Sequence, residues 1–166
     1  MQVHDWDHFT KRININASPK NIYHAWSTSQ GLESWFLRQA TFTDSNGKVR
    51  EANEPIQGGD GYLWVWYGYP DSVTEKKTII TVNGKNFLQF YFSGDCIVSV
   101  SIKSENGETI CELEQNHFPD DDQEKIDLHI DCSIGWTFYL ANLKSILEGG
   151  IDLRNKNLEI TDVVNA

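Results

Sequence analysis

Between residues 39 and 115 the chain alternates apolar and polar side chains almost throughout, in short runs separated by turn-forming residues. Successive side chains of an extended strand point to opposite faces, so this period of two marks half-buried strands. The runs cover Gln39–Thr43, Gly61–Tyr67, Lys77–Val82, Phe87–Phe92, Ile97–Lys103 and Thr109–Gln115. Asn83-Gly84 and Asn106-Gly107 fall between neighbouring runs, and such pairs join antiparallel strands through tight turns. The longest irregular connection, residues 47–59, contains Pro55 and ends at Gly58-Gly59.

Helical signals flank this block. Phe9–Asn16 alternates, with Ile13 and Ile15 on one face, and reads as one more strand. Ser18-Pro19 follows as a cap and a first-turn proline, and Ile22, Ala25 and Trp26 share one helical face. A second short helix is expected over Ser29–Trp35, capped by Ser29. Near the other end Trp136, Leu140, Leu143 and Leu147 form a helical stripe widened by Tyr139 and Ile146. Asp120, Asp121 and Asp122 supply favourable charge at its amino end, and Gly149-Gly150 stops it. Its start has two readings, because Ile126, Leu128 and Ile130 alternate like a strand while Ile126, Ile130 and Ile134 fit a helix. The order is strand, two short helices, antiparallel strands, long helix, which is α+β. With 166 residues and no linker or repeat, a single domain is expected over 1–166, its core about 9–154 and its tail 155–166.

Charge and cysteine usage narrow the function classes. A formal net charge of −10 repels phosphate backbones and anionic headgroups, so nucleic acid and membrane surfaces are not expected partners. No stretch approaches the roughly 18 apolar residues of a spanning helix. Cys96, Cys111 and Cys132 show neither a Cys-x-x-Cys pair nor zinc-ligand spacing with histidine, and no secretory leader pattern opens the chain. A cytoplasmic, reduced protein is the expectation.

Several segments carry a resemblance when taken in order: Ile13-x-Ile-x-Ala-Ser-Pro19, Ala25-Trp26, Leu32-Glu-Ser-Trp-Phe36, Gly58-Gly-Asp-Gly-Tyr-x-Trp-x-Trp66, Leu88-x-Phe90 and Gly135-Trp-x-x-x-Leu140. Together they resemble the START-like (SRPBCC) superfamily, and more narrowly the branch of homologues of the activator of the ninety-kilodalton heat-shock-protein ATPase. The closing Leu143–Arg154 is similar to how many members of that branch end. The resemblance implies a helix-grip fold, with a curved antiparallel sheet of about six to seven strands around a long C-terminal helix. It implies no single activity, since relatives include lipid carriers, polyketide cyclases, hormone receptors and co-chaperones.

If the sheet grips the helix, alternation gives the inward face. Tyr62, Trp64 and Trp66 share one parity, Leu88, Phe90 and Phe92 another, and Cys111, Leu113 and Gln115 a third. With Trp26, Trp35, Phe36, Trp136, Tyr139, Leu140 and Leu143 they make an aromatic-rich interior, drawn from a chain holding six Trp, six Tyr and eight Phe. Two packings satisfy this pattern: a solid core, or rings tiling a ligand-sized cavity with the 47–59 loop at its mouth. An inward Gln115 needs hydrogen-bond partners, which a ligand, a water or a strand that ends earlier would each supply. The opposite parity, Leu63, Val65, Tyr67, Phe87 and Tyr91, leaves apolar residues on the convex face, an expected homodimer patch unless the tail or the 47–59 loop covers it.

Catalytic signals are sparse. None of the familiar hydrolase, metalloprotease, P-loop or dinucleotide motifs appears. His117 beside Asp120–Asp122 is the leading acid–base candidate, with a solvated loop histidine as its plainer reading. His129 between Asp127 and Asp131 lacks a further ligand at metal spacing, so no cofactor or metal is expected. Three function classes follow: a non-enzymatic domain binding a small apolar or aromatic ligand, a chaperone-activator-like module binding a protein partner, and a cyclase or hydrolase using cavity residues.

Overall fold

The computed structural model describes residues 4–164. In chain order the elements are β1 (His8–Asn14), α1 (Pro19–Ser27), α2 (Ser29–Trp35), β2 (Gln39–Thr43), β3 (Gly61–Val65), β4 (Thr74–Val82), β5 (Phe87–Phe92), β6 (Cys96–Glu105), β7 (Glu108–Asn116) and α3 (Asp122–Leu147). The seven strands form one sheet in the order β1-β7-β6-β5-β4-β3-β2, with every pairing antiparallel. β1 and β2 therefore lie at opposite edges, and α1 and α2 carry the chain from one to the other. This is the α+β helix-grip architecture, an open sheet with the long C-terminal helix packed on one face.

Local chemistry sets the boundaries. Ser18 caps α1 by accepting the Asn21 N–H at 3.1 Å. The cap of α2 is Thr28 rather than Ser29, since its hydroxyl accepts the Gly31 N–H at 2.9 Å and Ser29 is already helical. Gly31 is required at this corner: a Cβ there would stand 2.2 Å from the His24 carbonyl oxygen. Asn106 and Gly107 take φ of 51° and 83°, the mirror-image turn that matches the twist of the strands it joins. Ser93-Gly94, φ 49° and 75°, opens the three-residue turn that joins β5 to β6. The ambiguous start of the long helix resolves to helix because Asp121 accepts the Gln123 and Glu124 N–H groups at 3.1 and 2.9 Å. Asp122 and Glu124 add favourable charge in its first turn.

The core lies between α3 and the face of the sheet that carries Phe90, Val98, Val100 and Leu113, each no more than 1% exposed. From α3, Trp136, Leu140 and Leu143 are buried against it, while Leu147 is partly buried. The opposite parity is less apolar at the surface than alternation suggested. Val65 is buried, Leu63, Tyr67 and Phe87 are half-buried, and of the five only Tyr91 is exposed. At Tyr67 the cover is the chain after α3, which places the Arg154 guanidinium 5.3 Å and the Lys156 ammonium 5.2 Å from the centre of its ring. The expected convex patch is thus corrected to a partly covered one.

Candidate functional site

The interior of the grip is filled by rings in contact. Tyr62 stacks on Trp64 at 3.9 Å, Trp64 meets Phe90 edge-on at 5.2 Å, and Trp26 meets Trp35 at 4.6 Å. Trp35 donates its indole N–H to the Ala25 carbonyl at 2.9 Å, tying α2 to α1. Gln115, fully buried, accepts the Trp136 indole N–H at 2.8 Å. Its amide nitrogen has no oxygen acceptor among the described residues and faces the thiols of Cys96 and Cys132, which accept only weakly.

Open space begins where this packing stops. A pocket of about 480 Å³ lies between α3 and the ends of β3, β4 and β5. Leu128, Asp131, Cys132, Ile134, Gly135, Trp136 and Tyr139 of α3 line it, as do Phe36 after α2, Trp66, Tyr69 and Val73 after β3, Glu75 of β4, Phe92 of β5 and Ser93 just after it. That volume falls within the range of small-molecule sites. Gly135 contributes no side chain, so the helix surface is hollow between the turns that carry Asp131 and Tyr139. Phe36 fixes the inner wall: it stacks on Trp136 at 5.1 Å and meets Tyr139 and Trp66 edge-on at 4.8 and 5.7 Å. Phe92 lies 5.1 Å from Trp136. The rim is open to solvent, with Tyr69 and Val73 both 43% and Ile134 56% exposed.

Polar groups punctuate this aromatic wall. Glu75 accepts the Ser93 N–H at 3.0 Å, yet burial outweighs that bond and pushes its carboxyl above the ordinary range. Burial likewise pushes the Cys132 thiol up, against the hydrogen-bonding pull of Gln115 and Ser93, so it is not poised as a nucleophile at neutral pH. The Tyr139 phenol is held well above its usual range, chiefly by burial. The pocket thus sets a few polar groups, Glu75, Cys132 and Tyr139 among them, into a largely aromatic wall.

Of the residues the sequence marks, Phe36, Trp66, Phe92, Trp136 and Tyr139 border the pocket. Trp26, Trp35, Tyr62, Trp64, Phe90, Cys111, Leu113, Gln115, Leu140 and Leu143 join the same buried assembly but lie in the packed interior, each no more than 4% exposed. Glu75, Ser93 and the rim residues Tyr69 and Val73 carry no site signal in the sequence, while Asp131, marked there beside His129, lies at the pocket's edge instead. Glu75 shares its parity with Ile79 and was legible once β4 is extended two residues upstream of Lys77. The 47–59 loop is not at the mouth. Arg50 binds both carboxylate oxygens of the buried Asp60 and also Glu54, while Gln57 donates its backbone N–H to Asp60, so the loop folds against α1 and α2 instead. His117, at the exposed end of β7, and His129 are also absent from the pocket. His129 is buried among Trp6, Phe9 and Phe118, with its Nδ1 3.1 Å from the Trp6 carbonyl. Burial pushes its pKa down.

Comparison with known proteins places the fold. A family model described as Activator of Hsp90 ATPase homolog 1-like protein matches residues 16–148. A protein from Staphylococcus saprophyticus superposes with a TM-score of 0.69 at 15% identity, covering 89% of this chain and 96% of that one. The solution structure of the Aha1 dimer from Colwellia psychrerythraea gives 0.64 at 18% identity, covering 86% and 97%. DynU16, a protein of the dynemicin biosynthetic locus, gives 0.67 at 17% identity, covering 90% of this chain and 50% of that one. The search of curated proteins finds no match. Among the described residues, no helix is long and apolar enough to cross a membrane.

Proposed function

The chain belongs to the Activator of Hsp90 ATPase homolog 1-like family, and on that premise we propose that it is a non-enzymatic binding domain for a small apolar or aromatic molecule. The ligand sits in the pocket between α3 and the ends of β3–β5. The observation that carries this reading is an aromatic wall left unfilled beside a closely packed core, with space of about 480 Å³. A core of this size gains from filling such a gap with its own side chains, because close packing is the rule of protein interiors. Six rings, from Phe36, Trp66, Tyr69, Phe92, Trp136 and Tyr139, instead face a space that a ligand would fill. The buried, free cysteines fit the reducing cytoplasm proposed as its compartment.

Titration with the neutral dye N-phenyl-1-naphthylamine is the direct test. Saturable quenching of tryptophan emission is expected, with micromolar affinity, about −8 kcal/mol. A linear, non-saturating response would remove the pocket reading.

A second reading, self-association or docking to a chaperone-type protein, is favoured by Ile130 and Ile134. They lie one turn apart on α3 and are 41% and 56% exposed. The related Colwellia protein is a dimer in solution. Sedimentation at high micromolar concentration is expected to give a dimer, and Ile134→Glu a monomer. A monomeric parent protein would reject the homodimer, and a variant that stays dimeric would put its interface elsewhere.

A further inference from the structure

The electrostatics of the pocket point to a narrower ligand class. Its two ionisable side chains of full charge are both carboxylates, Glu75 inside and Asp131 at the exposed edge, and no lysine or arginine lines it. Glu75 receives the Ser93 N–H at 3.0 Å, and no cation pairs with it among the described residues. Lys77, two residues along β4, acts on it only through space. A half-buried carboxylate without a counter-ion is costly, and a cation brought in by a ligand relieves that cost. The rings beside it carry negative faces, which attract a cation more strongly once water is excluded. The net charge of −10 adds a long-range field that draws cations and repels anions.

We propose that the pocket takes a small apolar amine in its protonated form, the ammonium hydrogen-bonded to Glu75 and the apolar body against Trp66, Phe92 and Trp136. This deepens the binding reading above and rests on it. A carboxylate calls for a nitrogen that still carries N–H donors, hence a primary or secondary amine. An anionic ligand would meet Glu75 and Asp131 together and is excluded by the same charges.

Three probes of one shape test it: 4-phenylbutylamine, 4-phenylbutanol and 4-phenylbutanoate, each titrated against intrinsic tryptophan fluorescence at one mildly alkaline pH. The amine is expected to bind about tenfold or more tighter than the alcohol, the size of a single added ion pair in a partly desolvated site. The acid is expected to show no saturable binding. Glu75→Gln keeps shape and burial, so it should remove most of the amine's advantage over the alcohol. Circular dichroism confirms its fold, and Asp131→Asn should shift the amine far less. If amine and alcohol bind equally well, the amine class is overturned while the pocket reading stands. An amine preference that survives in Glu75→Gln overturns Glu75 as the partner of the ammonium, and with it the proposed binding mode, while the pocket reading stands. If none of the three saturates, both readings fall together.

Discussion

Arg154→Ala is expected to destabilise the fold by about 3–5 kcal/mol, since it empties the place of a buried guanidinium and leaves several acceptors without their donor at once. Arg154 lies just past the long helix, in a stretch that has no regular secondary structure, yet its side chain is only 2% exposed. Its guanidinium donates to the Leu37, Glu33 and Ser34 carbonyls at 2.9, 3.1 and 3.0 Å and to both oxygens of Asp152 at 2.9 and 2.8 Å. Those carbonyls belong to the carboxyl end of α2, where the last turn of any helix leaves acceptors without intrahelical donors. One planar fork therefore closes a helix end, ties down the C-terminal segment and lies over the Tyr67 ring. Arg154→Lys keeps the charge but not the fork, so it should recover only part of the loss. The comparison is read from urea midpoints.

Acid adds a second signature. Burial works against ionisation of Asp152, but hydrogen bonds from Arg154 and Lys156 outweigh it and hold the carboxyl well below its ordinary 3.8. A depressed native value means that the contribution is present above that ordinary value and is lost as the pH falls below it. In Arg154→Ala this part of the acid-induced loss should shrink. A variant within about 0.5 kcal/mol of the parent, with an unchanged acid limb, would show that the segment does not hold the fold.

Legibility in the sequence followed what each signal can carry. The bounds of β2 and β5 coincide with their alternating runs because both strands are half-buried, which is the condition alternation reports. β4 starts earlier than Lys77, since Thr74-Glu-Lys-Lys-Thr78 is polar on both faces and gives alternation nothing to register. β3 stops at Val65, before the sequence pattern does. That termination matters to the site: Trp64 is 1% exposed and packed, whereas Trp66, of the same parity, is half-buried and reaches the pocket. Where ten inward residues interdigitate and where five leave space is a matter of a few ångströms of backbone path. Residue type does not encode it. The role of Arg154 is hidden for a related reason: apart from Asp152, its partners are backbone carbonyls more than a hundred residues away, and carbonyls have no sequence signature.

Trp136 joins core to pocket, so its truncation should be felt in both. The ring is 2% exposed and lies 5.9, 5.1, 6.4 and 5.1 Å from Trp26, Phe36, Phe90 and Phe92. Trp136→Ala is expected to cost about 3–5 kcal/mol through lost contacts and the void left behind. It also removes the hydrogen bond that the Gln115 side-chain oxygen accepts, deep among apolar groups. Trp136→Phe separates the two effects: it keeps most of the ring and leaves Gln115 unpaired, for about 1–3 kcal/mol. The larger space in Trp136→Ala opens onto the pocket, because the indole forms part of its wall. Bulkier neutral dyes should therefore gain affinity relative to N-phenyl-1-naphthylamine in the Ala variant, and Trp136→Phe should leave that order unchanged. A loss below about 1 kcal/mol on truncation to Ala would mean that the surrounding rings close over the gap, and the wall would then be too soft to select a ligand by shape.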